Sequence, residues 1–245
     1  MPDALLLIHA WPLDATMWEP QETSLRERVL TVAPHLPGFG GTDPAGDVMT
    51  MRAAADRCVE ALDAAGAERS VVCGLSLGGY VALELWRSHP DRVTGFVFAN
   101  TRAIPDDEAG KERRRVLVER LRKEGSGFLV KEPGPLLSDQ ADQEQWERVR
   151  TMIAAQSPDA IASAALGMAE RPDSTGDLSG IDVPTMVITS TGDTLIPSVQ
   201  TTPMADAIPS ATLEVIEGAG HLSSMESPGE FTLLLERQLT LCGLL

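Results

Sequence analysis

The 245-residue sequence is poor in cysteine, and Cys58, Cys73 and Cys242 are odd in number, far apart and in no CxxC pair. That pattern argues against a disulfide framework and a structural zinc site, and buried thiols are the reading. Positive charge is also scarce, with 20 Lys and Arg against 36 Asp and Glu, a net charge of −16. A chain of that sign repels phosphate backbones and anionic lipid, so neither nucleic acid nor a membrane is an expected partner. Long apolar runs are missing near the start. Ala4 to Ile8 is a short stretch, where a signal peptide needs about 7–15 apolar residues and a membrane span about 20. A cytoplasmic protein is the expectation. No period of about 20–50 residues repeats, and no Gly/Ser or Pro-rich linker divides the chain. What is present, 43% hydrophobic and 23% charged residues, suits a packed globular protein with one large core, or a core carrying an insertion.

Aliphatic and β-branched runs at Ala4–Ile8, Val29–Ala33, Ser70–Cys73, Val93–Ala99, Thr185–Thr189 and Thr212–Ile216 predict strands. Most are continuously apolar, as strands are when helices cover both faces of a parallel sheet. Between them, Thr50 caps a helix-spaced stretch from Met51 to Ala65 that Gly66 stops, and a second helix runs from Leu77 to Ser88. Ser227-Pro228-Gly229-Glu230 reads as a capping box that opens a last helix to about Leu241. From 105 to 180 strand signals give way to helical patterns at Glu108–Glu124, Asp139–Gln156 and Pro158–Glu170. This predicts a core of residues 1–104 and 181–245 with a helical cap inserted at 105–180. The Lys111–Arg115 cluster lies among Asp106, Asp107, Glu108, Glu112 and Glu119, and its charge pattern reads as a solvated helix face.

Gly74-Leu75-Ser76-Leu77-Gly78-Gly79 sits between a predicted strand and a predicted helix, the context in which G-x-S-x-G exposes a nucleophilic serine on a tight turn. A hydroxyl needs a base to take its proton and an acid to orient that base. His221, in the small-residue loop Gly218-Ala219-Gly220-His221, is the candidate base, and Asp193 after the fifth strand the candidate acid. Each of Ser76, Asp193 and His221 follows a strand, in the chain order this arrangement takes. Backbone N–H groups of Leu77 and Trp11 are the candidate oxyanion donors. His9 reads as a loop-bracing group, because a second base would duplicate His221. Trp18, Arg102, Phe128, Trp146, Met152, Arg171, Leu195 and Leu222 are candidates to line the substrate pocket. Arg102 has two readings, a carboxylate-binding group or one half of an internal salt bridge.

These landmarks together resemble the α/β-hydrolase superfamily: HAWPLDATMW at 9–18, PHLPGFGGTD at 34–43, GLSLGG at 74–79, SHPDRV at 88–93, GDTLIP at 192–197 and GAGHLSSMESP at 218–228. Among its members the chain is most similar to the small 3-oxoadipate enol-lactonases and carboxylesterase-like enzymes. The resemblance implies a mainly parallel sheet with a helical cap, a Ser76–His221–Asp193 triad, and a small-molecule ester or lactone as substrate. The chain opens on the strand before the oxyanion loop, so a six-stranded sheet is expected, without the family's first two strands. Val29–Ala33 then lies on an edge where two copies can pair into a homodimer. Two departures stand out: Ala10 replaces the usual Gly and adds a methyl expected to narrow the acyl pocket, and His35 replaces the usual Asp. No metal cluster or nucleotide-binding glycine pattern is present in the sequence, so no metal or cofactor is implied. The same triad also serves carbon–carbon bond cleavage of a β-diketone, thioester hydrolysis or perhydrolysis. A ligand-binding protein on the same fold is the reading of another class.

Overall fold

A computed structural model describes residues 3–245. β1 (Ala4–Ile8), β2 (Thr31–Val32), β3 (Ser70–Leu75), β4 (Val93–Ala99), β5 (Thr185–Ser190) and β6 (Ala211–Ile216) form one sheet in the order β2-β1-β3-β4-β5-β6. Every neighbouring pair is parallel. β1, β3 and β5 are buried along their whole length, which is why their sequences are apolar without alternation. β2 is the one strand much shorter than its sequence suggests. It has two residues, both paired to β1, so this edge of the sheet is short.

Helices cover the sheet. They are α1 (Glu19–Leu25), α2 (Met51–Ala64), α3 (Leu77–Ser88), α8 (Ser198–Ala207), α9 (Ser223–Glu226) and α10 (Pro228–Leu241), with α4 (Glu108–Glu124), α5 (Gly127–Lys131), α6 (Gln143–Ala155) and α7 (Pro158–Glu170) between β4 and β5. Thr50 caps α2 as expected, its side chain accepting from Ala53 N–H at 3.1 Å. Ser227 does not form the expected capping box. Its backbone N–H instead donates to Ser223 O at 2.9 Å and closes α9, so its side chain makes no cap bond to α10. Aromatic side chains anchor the core, with Phe96 stacked on Phe98 at 4.7 Å between ring centroids.

The chain steps from β1 to the edge strand β2, then returns to the other side of β1 for β3. This reversal opens a crevice beyond the carboxyl ends of β1 and β3, the place where open parallel sheets bind ligands. Ser76 follows β3 and Trp11 follows β1. α7 closes over this end of the sheet. Its small buried residues, from Ala160 to Ala169, let it approach closely, and Ile161 O accepts from Trp11 Nε1 at 3.0 Å. Among the described residues no helix is long and apolar enough to cross a membrane.

Candidate active site

Ser76 occupies the turn between β3 and α3 at φ 56° and ψ −111°. A non-glycine residue adopts such a conformation only where its surroundings impose it. Here the neighbouring glycines allow two backbones to touch: a Cβ on Gly74 would lie 2.2 Å from Gly78 O, and one on Gly78 would lie 2.1 Å from Ile8 O. Ser76 N–H donates to Ala99 O at 3.0 Å, and Thr101 Oγ1 donates to Ser76 O at 2.8 Å. The turn is therefore held from β4 as well as from its own strand.

Asp193 and His221 come from the loops after β5 and β6 and meet below the surface. His221 Nδ1 lies 2.9 Å from Asp193 Oδ2, with both side chains fully enclosed. Asn100 Nδ2 donates to the same carboxylate oxygen at 2.9 Å, while Leu195 and Ile196 N–H both donate to Oδ1 at 2.9 Å. Burial pushes the Asp193 carboxyl pKa up, but the hydrogen bonds from His221, Ile196 and Asn100 and the charge of His221 outweigh it. The net shift is downward. An ionised carboxylate at Nδ1 keeps the proton there, so the lone pair of the neutral ring sits on Nε2. Nε2 is buried and has no hydrogen-bond partner, so no bond to Ser76 Oγ is formed. Ser76 itself is 8% exposed.

Among the described residues, neither Trp11 N–H nor Leu77 N–H has an acceptor within the protein. The adjacent Ala10 N–H is turned inward to Met17 Sδ at 3.2 Å. His9 is a brace: its Nε2 accepts from Leu36 N–H at 3.0 Å, leaving Nδ1 to donate to Ala10 O at 3.1 Å. Burial lowers its pKa to about 4. His35 is also structural, its Nδ1 accepting from Ala15 N–H at 3.3 Å beneath Gly40. Burial pushes the thiol of Cys58 up to about 12 and that of Cys73 higher still, so neither is a nucleophile near neutrality.

Ser76 opens into a cavity of about 120 Å³ walled by Trp11, Tyr80, Met168 and Ile196, with Leu195, 45% exposed, among its lining residues. Arg102 and Arg114 supply its charged wall. Of the pocket candidates, Arg102 and Leu195 are at this cavity. Trp18 is not: it is completely buried against the Phe231 ring. Leu222 and Met152 are core residues. Phe128 lies under Arg120, and Trp146 has Arg150 5.6 Å from its ring centroid, both outside the cavity lining. Ala10 is fully buried and does not line the cavity either, so its methyl does not narrow it. Arg171 is buried behind the wall, its guanidinium 4.1 Å from the centroid of the Tyr80 ring. The sequence reading missed Tyr80, Met168, Asn100 and Arg114. Arg114 was masked by its cluster, yet it shares a helical stripe with Gly110, Val118 and Leu121, the buried residues of α4.

Residues 5–232 match the model of the alpha/beta hydrolase family. The chain belongs to the α/β-hydrolase family. A solved esterase from Thermogutta terrifontis, with malate bound, is 38% identical and superposes with a TM-score of 0.94 over 99% of this chain and 91% of its own. A pimeloyl-acyl-carrier-protein methyl ester esterase from Aromatoleum aromaticum is 28% identical, with 96% of this chain and 97% of the relative covered. A 3-oxoadipate enol-lactonase from Acinetobacter baylyi is likewise 28% identical, over 93% of this chain and 85% of the relative. This α/β hydrolase is an enzyme of the carboxylic ester hydrolase class. Its sheet retains six strands with the crevice and helical layer described above.

Proposed function

We propose that the protein hydrolyses a small carboxylic ester or lactone through an acyl-enzyme on Ser76. Ser76 Oγ attacks the carbonyl carbon while its proton passes to His221 Nε2. Asp193 holds the ring and stabilises the imidazolium, and Trp11 and Leu77 N–H bind the oxyanion. Collapse of the tetrahedral intermediate expels the alkoxide, which takes the proton from Nε2. Water, deprotonated by the same nitrogen, then attacks the acyl carbon and releases the acid with Ser76 restored. In a lactone the leaving alkoxide belongs to the same molecule, and it departs only when water opens the acyl-enzyme.

The observation that carries this reading is the buried Asp193–His221 pair, which leaves Nε2 with a lone pair and no partner. A buried polar nitrogen without a partner is costly, and a proton from a reacting hydroxyl satisfies it. The cavity supports a small substrate, because its volume of about 120 Å³ falls below the roughly 300–1,000 Å³ of ordinary ligand pockets. The test is turnover of p-nitrophenyl acetate and butyrate by wild type and by Ser76→Ala, with folding checked by circular dichroism. We expect kcat to fall by about 10⁴-fold or more. Equal rates in the two proteins would remove Ser76 from the chemistry.

A further inference from the structure

Tyr80 stands one turn of α3 beyond the nucleophile. Its N–H donates to Ser76 O at 3.4 Å, so about 5.4 Å of helix separates the two residues. Cα–Cβ bonds on a helix tilt toward its N-terminus, which leans the Tyr80 side chain back toward the turn that holds Ser76. The residue is 5% exposed and walls the cavity into which Ser76 opens. Arg171 fixes it there: the guanidinium lies 4.1 Å from the ring centroid and is itself held by Met168 O, Ile104 O and Asp106. Among the described residues the Tyr80 hydroxyl nevertheless has no hydrogen-bond partner. A position needed for packing alone is served better by phenylalanine, because an unpaired hydroxyl in a nearly closed site costs free energy. The other polar side chains of the wall are engaged. Trp11 Nε1 donates to Ile161 O at 3.0 Å, and Arg114 Nε donates to Asp106 Oδ2. Arg102 is one half of an internal ion pair, with Nη2 on Asp106 Oδ1 at 2.6 Å and Nη1 on Gln200 Oε1 at 2.7 Å. Tyr80 also borders a second hollow, of about 10 Å³, behind the wall. That is room for about one water and not for a substrate group, so a substrate meets the hydroxyl from the Ser76 side.

We infer that the Tyr80 hydroxyl binds an uncharged acceptor oxygen of the substrate, and that the preferred substrate is a small ester or lactone with a second carbonyl a few bonds from the scissile one. The inference rests on the serine-hydrolase reading and adds the substrate class to it. The guanidinium over the ring face draws on its π electrons, which favours the hydroxyl as donor over acceptor. With the two hydroxyls one helical turn apart, a molecule whose scissile carbonyl lies at Ser76 Oγ brings a nearby oxygen to Tyr80. An alkyl group in the same place leaves the hydroxyl unpaired, and a site that offers a buried donor discriminates against the analogue that lacks its acceptor.

The experiment compares isosteric esters in a pH-stat. Methyl acetoacetate against methyl isovalerate places the second carbonyl on the acyl side, and acetoxyacetone against isobutyl acetate places it on the alcohol side. The readout is the keto-to-alkyl ratio of kcat/KM in wild type and in Tyr80→Phe, so the intrinsic reactivity of each ester cancels. In Y80F the ratio falls by about three- to tenfold in at least one pair, mostly through a higher KM for the keto ester. Should Y80F not fold, Tyr80→Leu carries the same comparison. A folded variant whose ratio matches wild type in both pairs, including one that slows both members of a pair equally, overturns the inference and leaves the hydrolase reading standing. Wild type that turns over p-nitrophenyl acetate but none of the four esters does the same. Failure on p-nitrophenyl acetate as well removes the hydrolase reading, and this inference with it.

Discussion

At Asp193 four donors converge on one carboxylate, and only one of them is the histidine it serves. Asn100 is the side chain among the other three. It sits just past β4 at φ 45°, a conformation that asparagine tolerates better than most residues. Its amide ties three loops together: Nδ2 donates to Ser190 Oγ at 2.7 Å as well as to Asp193, and Oδ1 accepts from Ser223 Oγ at 2.6 Å. Asn100→Ala removes a charge-assisted bond from Asp193 and leaves Ser223 without its acceptor. We expect a loss of about 1–3 kcal/mol in urea unfolding and a fall of about tenfold in kcat with KM little changed. An unchanged kcat would make Asn100 a packing residue only. Asp193→Asn is harsher, because the amide no longer holds the Nδ1–H tautomer. A kcat lower by about 10⁴-fold in a protein of unaltered circular dichroism is expected.

Among elements, the helical segment between β4 and β5 matters most, because it is fastened to the catalytic loops rather than merely laid over them. Glu226 of α9 accepts from Ser138 N–H at 3.0 Å, from Ser138 Oγ, and from Gly220 N–H at 2.9 Å, next to His221. Leu222 N–H donates to Leu136 O at 2.9 Å on the same seam. On the opposite side Gln156 donates to Asp14 Oδ2 at 2.7 Å and accepts from Gly40 N–H at 2.9 Å. Glu226→Ala leaves two backbone donors without their acceptor. A destabilisation of about 2–4 kcal/mol in chemical unfolding is expected, together with faster proteolysis within residues 125–142. Full stability in this variant would show that the seam contributes nothing. Local signals wrote the long elements plainly: α3, α4 and α7 end where their periods and caps place them, and β1 and β4 match their apolar runs. The short helices α1, α5, α8 and α9 were not legible. Two are a single turn or little more, and α8 carries Pro203 inside it, so their stability comes from tertiary contact and not from propensity. Arg114 failed to show for a related reason, since a charge inside an acidic and basic cluster reads as surface until a buried Asp106 is found beside it.

For the whole molecule, the shifted groups combine into a prediction about acid. Asp193, Asp14 and Asp106 all titrate lower in the folded protein, Asp106 down to about 2: burial raises each one, and hydrogen bonds or facing charges outweigh it. His9 is lowered to about 4, chiefly by burial, against an ordinary value of 6.5. Each of these groups binds its proton more readily in the unfolded chain, so stability falls as pH falls. Glu22, raised by burial, works against them. The His9 contribution is complete above its unfolded value of 6.5, erodes below it, and is gone once pH passes its folded value of about 4. That window lies above the one in which the aspartates titrate, so the two can be separated. Between about pH 7 and pH 4 the His9 shift is worth roughly 3 kcal/mol, at 1.36 kcal/mol per unit. Urea midpoints across that window should drop for wild type and drop much less for His9→Gln, whose amide oxygen can still accept from Leu36 N–H without taking a proton. Parallel curves for the two proteins would mean that acid acts through the carboxylates alone. A steeper fall confined to wild type would trace acid sensitivity to the brace beneath the Trp11 loop, so the oxyanion donor would be lost in the same pH range as the fold.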